Sequence, residues 1–316
     1  MSDLSCSPSV LFYQSSADVT TTTAQTSIQL TPHTLRTVQM SLQVKIGFVG
    51  AGAMAQAIAE GLLTSGTVSP DNVMASATSS RFRWWWEERK VKFTEDNDSV
   101  IESSEVVFIA VKPHLYQGMF GRLQDQGRKY GDKLWVSIMA GVVLTDLTAA
   151  VNKVTSALAT RIVRSIPNTP VKVRKGSVAV TLSEGCTDQD RQVVVTLFSS
   201  VGRCVEIPER LQNSFAAMAA SGPAYIYQVI EALADGGVMM GLPRDLAMEH
   251  AAAMVEGAAG MVLAGGKHPA GLKDEVCSPG GSTIRGVQRL EQAGVRAAFM
   301  GAVQAAAERN EELGKK

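Results

Sequence analysis

The sequence predicts an α/β chain with two domains, a doubly wound sheet over residues 44–208 followed by an all-helical C-terminal domain over 209–316. Three observations predict it. An apolar strand pattern, Val44 to Val49, runs through a glycine turn into an amphipathic Ala-rich helix. Strand and helix patterns then alternate as far as "CVEIP", and alternation of that kind indicates helices wound on both faces of a sheet. From Glu209 onward strand signals vanish and the chain reads as Ala- and Met-rich helix. With 316 residues, 45% of them hydrophobic, the chain is long enough for two cores.

Composition narrows the chemistry. Lys+Arg and Asp+Glu are both 30, so the formal charge is zero, and no nucleic-acid or anionic-membrane partner is expected. Cys6, Cys186, Cys204 and Cys277 are far apart without a CxxC pair, and His33, His114, His250 and His268 are scattered. Neither a metal site nor a disulfide framework is expected, and a reducing, cytoplasmic setting fits best. No apolar run reaches the ~18 residues of a membrane span. Residues 1–43 are Ser- and Thr-rich ("ADVTTTTAQTS") and are expected to be a disordered tail. A mitochondrial transit peptide is the alternative; it is acid-poor and Ser-rich like this segment, but also Arg-rich, which this is not. Met40 opens "MSLQVKIGFVG", a second candidate start of the compact protein.

The first strand and its turn, "VKIGFVGAGAMAQAIAEGLLTSG", carry the clearest chemistry. Gly50 permits the tight turn after the strand. Gly52 lets backbone approach a pyrophosphate, and the helix from Met54 and Ala55 presents free N–H groups to it. Ala51 and Ala53 belong to the same turn. This is a Rossmann-type dinucleotide site; the bland alternative is a tight turn alone. The second strand, "NVMASA", ends in Ser76-Ala77-Thr78-Ser79-Ser80-Arg81, where an NAD site places an acid on the ribose. Small hydroxyls with Arg81 and Arg83 suit a 2′-phosphate, so NADPH is expected over NADH; a solvated helix start is the other reading of those arginines. Trp84, Trp85 and Trp86 either pack into the following helix or stack on adenine. "EVVFIAVKPH" is a buried strand whose exit, Ala110, Val111 and Lys112, borders the ligand crevice. "LWVSIMAGV" repeats the design and exits at Ala140-Gly141, "RIVRSIPNTPVKV" exits at Pro167-Asn168-Thr169-Pro170, and "SVAVTL" and "CVEIP" extend the sheet.

In the second domain Leu211 to Met240, Asp245 to Leu263 and Ser282 to Leu313 read as helices, broken at Gly222-Pro223, Gly241-Leu242-Pro243, His268-Pro269 and Pro279-Gly280-Gly281. "AAMAASGPAYIYQVIEALADGGVMMGL" is apolar around most of its circumference, which points to burial between subunits. "DEVCSPGGSTIRG" interrupts the helical pattern with Pro279-Gly280-Gly281 between hydroxyl residues. It is a binding surface, a turn, or both.

"IGFVGAGAMA" (46–55), "SGPAYIYQVIEALADGGVMMGLPR" (221–244) and "LKDEVCSPGGSTI" (272–284), in that order, resemble the pyrroline-5-carboxylate reductase family, and the resemblance covers Val44 to the C-terminus. It implies NAD(P)H-dependent reduction of the cyclic imine 1-pyrroline-5-carboxylate to L-proline. It also implies a helical dimerisation domain that forms a homodimer, often assembled into a decamer. Carried over, the cofactor contacts fall on Ala51, Met54, Asn97, Ala110, Val111, Lys112 and Ala140. The substrate contacts fall on the turn of Ser278, Gly280, Gly281, Ser282 and Thr283, with Glu209 and Glu275 as the nearest matches to two further polar positions of the family. The family's serine on the 2′-phosphate falls on Ala77 here, so Ser76 and Ser79 are its substitutes.

Imine reduction needs a hydride on carbon, a proton on nitrogen and a hold on the carboxylate. The Pro-Gly-Gly turn offers N–H groups for the carboxylate, and Thr283 is placed to hydrogen-bond the imine nitrogen. A threonine is a poor acid, so an iminium substrate or a water relayed by Thr283 or Lys112 completes the proton step. Helix capping by Ser282 or Thr283 is the structural alternative, and Cys277 reads as a packing thiol. Competing readings are a β-hydroxyacid-type dehydrogenase, an imine reductase for another substrate, and a non-catalytic NADPH-binding module. The first needs a mid-helix lysine in the second domain, where only Lys267 and Lys273, both read in the loop region before the turn, and the terminal Lys315 and Lys316 occur.

Overall fold

The structure, a computed structural model, describes residues 42–314. The expectations for the N-terminal segment up to residue 41, including Cys6, His33 and the start at Met40, fall outside the described residues.

The chain order is β1 (Ile46–Val49), α1 (Ala53–Thr64), β2 (Val73–Ser76), α2 (Arg83–Glu88), β3 (Lys92–Thr94), α3 (Asn97–Ser103), β4 (Val106–Ile109), α4 (Tyr116–Asp125), β5 (Leu134–Ser137), α5 (Leu144–Asn152), β6 (Arg161–Ile166), β7 (Gly176–Leu182), α6 (Asp188–Ser199) and β8 (Gly202–Glu206). Then come α7 (Gln212–Phe215), a π-helical turn Ala216–Ala220, α8 (Gly222–Met239), α9 (Arg244–Leu263), α10 (Pro269–Val276), α11 (Ser282–Gln292) and α12 (Val295–Gly314).

The sheet runs β3-β2-β1-β4-β5-β6-β7-β8. All neighbours pair parallel except β6 and β7. Residues 167–175 hold only a 3₁₀ turn, Thr169–Val173, and a parallel return needs a crossover of roughly a dozen residues. The short link therefore turns β7 back. Helix α6 supplies the crossover that makes β8 parallel to β7.

Alternating side chains divide the strands between two cores. Ile46 and Phe48 of β1 join Val106 and Phe108 of β4 in one cluster, with α1, Trp86 and Phe198. Val49, Val107 and Ile109 face the other way, toward Ile101, Phe120, Leu147 and Val151. Phe48 and Phe108 stack at 4.8 Å, and Phe108 meets Phe198 edge-on at 6.0 Å. This double coverage holds the strand exits in place.

The described residues form two compact units, 42–220 with 309–314, and Ser221–Glu308. The first unit keeps the segment after Glu209 because its side chains are tied to the sheet. Gln212 Nε2 donates to Thr181 Oγ1 at 2.8 Å, and Asn168 Nδ2 donates to the Ala219 carbonyl at 2.9 Å. The sequence breaks the helical stretch 211–240 at Gly222-Pro223, and the structure has α7 and the π turn before that point and α8 from Gly222 onward. The helix expected over 282–313 is split at Gly294, whose φ of +70° ends α11. In the second unit α8 packs on α9 through Ala234, Ala247 and Ala251.

Candidate active site

The phosphate turn is built by close approach. Gly50 has φ +108°, and a Cβ there would lie 2.5 Å from the carbonyl carbon and oxygen of Ala110. Gly50 N donates to the Ser76 carbonyl at 2.9 Å, so the turn is pinned between the ends of β2 and β4. Gly52 is the N-cap of α1 and makes no side-chain cap. A Cβ on Gly52 would meet nothing within 4 Å. The first-turn N–H groups of α1 therefore face open space, an arrangement that takes an anion. Ala51 is buried, and its carbonyl accepts from Trp86 Nε1 at 3.4 Å and Gln56 Nε2 at 3.1 Å. Ala53 is exposed and Met54 half-buried at the open side.

The three tryptophans of α2 divide. Trp86 is fully buried, 5.6 Å from Phe48. Trp85 lies under the Arg89 guanidinium at 4.0 Å, and Arg89 pairs with Glu60 of α1. Trp84 is 64% exposed. The bracing role falls to the second and third residues.

At the β2 exit Ser76 is fully buried, and its hydroxyl donates to Asn97 Oδ1 at 2.8 Å. The sequence reads Ser76 as a direct substitute contact for a 2′-phosphate. The structure instead gives its hydroxyl to Asn97, which is half-buried at the start of α3. The exposed groups beyond β2 are Thr78, Ser79, Ser80 and Arg81. Arg83 is paired with Glu87 and Glu95, whereas Arg81 makes no ion pair among the described residues and only overlies Phe82 at 5.1 Å. Ala110 and Val111 are half-buried and Lys112 exposed at the β4 exit; Ala140 is exposed beyond β5.

Glu209, expected on the substrate, is bonded within the first unit through one of its two oxygens. Its Oε1 accepts from Arg164 Nη1 at 2.9 Å and from the Leu144 N–H at 2.7 Å. Glu275, the other acidic expectation, is exposed and paired with Lys267. Lys273, which the sequence puts in a loop, lies in α10.

In the second unit α10 ends at Cys277, and Ser278-Pro279-Gly280-Gly281 forms a tight turn closed by Gly281 N to the Ser278 carbonyl at 3.1 Å. Gly280 has φ +71°, the third-position geometry of a Pro-Gly type II turn. Gly281 is the N-cap of α11 and no side chain caps it. The capping alternative for Ser282 and Thr283 therefore fails. The hydroxyls of Ser278, Ser282 and Thr283 make no hydrogen bond among the described residues, which leaves them and the first N–H groups of α11 open to a ligand. No group of His, Cys, Asp and Glu suited to a metal occurs among the described residues.

Residues 209–313 match the family described as pyrroline-5-carboxylate reductase dimerisation, and residues 45–141 match NADP oxidoreductase coenzyme F420-dependent. The chain is 39% identical over 273 residues to a pyrroline-5-carboxylate reductase of Methanosarcina acetivorans, covering 86% of this chain and 98% of the relative. A Pisum sativum pyrroline-5-carboxylate reductase is 40% identical over 268 residues, covering 85% and 95%. Among solved structures, the NADP-bound Plasmodium falciparum pyrroline carboxylate reductase superposes with a TM-score of 0.76 at 28% identity, covering 86% of this chain and 98% of its own. The Coxiella burnetii pyrroline-5-carboxylate reductase gives 0.76 at 30% identity, covering 87% and 100%. With near-complete coverage at this identity, the chain belongs to the pyrroline-5-carboxylate reductase family.

Proposed function

We propose that this chain reduces 1-pyrroline-5-carboxylate to L-proline with NAD(P)H, as the names of its relatives and both halves of its own chemistry support. The competing dehydrogenase and non-catalytic readings find no support among relatives near 40% identity.

The first unit fits a dinucleotide: the glycine turn is open where a Cβ would be empty space, and α1 starts uncapped. Gly50, Ala51, Gly52, Ala53 and Met54 would hold the pyrophosphate, Asn97 the adenosine side, and Ala110, Val111, Lys112 and Ala140 the nicotinamide side. Arg81, with no carboxylate partner, favours NADPH over NADH. When bound, the nicotinamide supplies the hydride that the imine carbon accepts.

The observation that carries the substrate half is the Ser278–Thr283 turn with its glycine N-cap. Its N–H groups, extended by Ser278 and Ser282, hold the ring carboxylate at the positive end of α11. The Thr283 hydroxyl donates to the imine nitrogen, orienting the C=N bond and relaying a proton from solvent. Glu275, paired with Lys267, borders the turn in sequence and is a remote participant at most.

Oligomerisation belongs to the same reading, with a homodimer as its unit and a decamer as the higher assembly. Its support is the apolar surface that the second unit leaves uncovered. No described helix is long and apolar enough to cross a membrane; a cytoplasmic rather than mitochondrial setting is the location proposed, on the low arginine content of residues 1–39. The test is NADPH oxidation with synthetic 1-pyrroline-5-carboxylate beside a panel of hydroxy and keto acids. Turnover confined to the imine is expected, and turnover of a hydroxy acid alone would overturn the reading.

A further inference from the structure

The guanidinium of Arg164, on β6, is 2% exposed, and its Nε has no hydrogen-bond partner. Burying such a charge costs several kcal/mol unless a counter-charge meets it in good geometry. Glu209 meets it. One oxygen, Oε1, takes Arg164 Nη1 at 2.9 Å and the Leu144 N–H at 2.7 Å, while Arg164 Nη2 donates to Asn213 Oδ1 at 3.3 Å. Two segments distant in sequence, β6 and the start of α5, thus converge on a single carboxylate.

Leu144 is the first residue of α5, so its N–H has no partner within the helix. It also closes the turn that leaves β5, residues 138–143, in which Gly141 has φ +78° and Ala140 is exposed. That turn stands at the carboxyl end of a parallel strand, where an open α/β sheet binds its ligand. The strand order reverses between β1 and β4. A dinucleotide across that point lays its adenosine half over β1 and β2 and its nicotinamide half over β4 and β5.

We propose that Glu209 is a positioning residue: held by buried Arg164, it fixes the β5–α5 turn against which the nicotinamide half of the cofactor lies. This rests on the NAD(P)H-dependent reading above and replaces direct substrate contact as the role of Glu209. The carboxylate reaches the reaction through the backbone of Leu144 and the turn it ends.

Two full-length variants test it. Leu144→Pro deletes the donated N–H with little backbone strain, since proline is favoured at a first helical position and Val143 before it is already extended at φ −85°, ψ 159°; it also trims a half-buried side chain packed on the second core, a loss that Glu209→Gln does not share. Glu209→Gln keeps an acceptor and removes the charge. Calorimetric titration with NADP⁺ and with 2′,5′-ADP, which carries only the adenosine half, separates local from global effects. NADP⁺ is expected to bind roughly tenfold more weakly to both variants, with 2′,5′-ADP affinity unchanged. Equal weakening of both ligands, or unchanged NADP⁺ affinity, would overturn the proposal. So would a raised Michaelis constant for the imine with normal cofactor affinity, which would make Glu209 a substrate contact. A wild-type chain that binds no NADP⁺ would overturn both the proposal and the functional reading, whereas tight wild-type binding with unaltered variants overturns the proposal alone.

Discussion

Gly50 and Gly52 flank one alanine yet answer to different constraints. A side chain on Gly50 adds left-handed backbone strain and a 2.5 Å collision with Ala110. Gly50→Ala is expected to lower unfolding free energy by about 2–4 kcal/mol in urea titrations. Gly52 has an ordinary φ of −74° and open space around its missing Cβ. Gly52→Ala should cost no more than ~1 kcal/mol of stability yet weaken NADP⁺ at least about tenfold, because the new methyl occupies the room the pyrophosphate needs. A Gly52→Ala protein with normal cofactor affinity would show that the turn is only a turn. Thr283 poses the matching question in the second unit. Its hydroxyl supports no fold contact among the described residues, so Thr283→Ala should fold normally and lose about tenfold or more in kcat; unchanged kcat and imine KM would remove it from the mechanism.

At the scale of elements, α2 shows how one sequence run serves two purposes. Trp86 fills the core beside Phe48 and donates to the carbonyl of Ala51, the middle of the phosphate turn. Trp86→Ala is expected to cost about 3–5 kcal/mol and to weaken NADP⁺ binding, while Trp84→Ala should stay within roughly 0.5 kcal/mol of wild type. Equal denaturation midpoints for the two would contradict this division. The triple-tryptophan run reads as helix in sequence, but which ring goes inside depends on the partners that β1 and the turn bring. The same limit explains other differences. The strands at 46–49, 106–109 and 134–137 stand out because both faces are buried and apolar, whereas β3 has three residues at the sheet edge, too few for a period. Alternation carries no strand direction, so the antiparallel turn of β7 is invisible until the short link before it is seen. Gly52 and the Ser278–Thr283 turn were legible because local residue types dictate them. Glu209 is singled out by the family resemblance, but its pairing was not legible, because Arg164 is 45 positions away and no local pattern encodes that contact.

The molecule as a whole carries protons that bear on its alkaline limit. Burial, then Glu206, pushes the Cys204 thiol from its ordinary 9.0 up to about 12. Burial also raises Cys186, and burial with the Asp98 hydrogen bond raises Tyr130. The folded chain keeps the Cys204 proton that the unfolded chain releases above about pH 9. Stability from this group is therefore complete below pH 9 and falls as pH rises toward 12, by ~1.4 kcal/mol per unit at most. Urea midpoints at successive pH values should decline above 9, and Cys204→Val should flatten the decline; an unchanged slope would assign it to other groups. A second property of the whole lies in the Ser221–Glu308 unit. Its own buried cluster is Ala234, Ala247 and Ala251, backed by Ile230 and Val238, while Met240 is 85% exposed, Met300 73%, Met261 59% and Leu290 54%. Soluble monomers rarely leave apolar surface of that extent open, and helices with so small a core of their own gain stability by burying it against another copy. The first unit differs, since both faces of its sheet are already covered. Association through the second unit should therefore be separable from cofactor binding by the first. Met254 and Met261 lie seven residues apart on one face of α9, so Met254→Glu with Met261→Glu places two charges in that surface. Sedimentation velocity should find wild type as a dimer or larger and the double variant dissociated, with 2′,5′-ADP affinity retained and turnover lost. A monomeric wild type at micromolar concentration would contradict the argument, and a double variant that stays assembled would move the interface to another face of the helices.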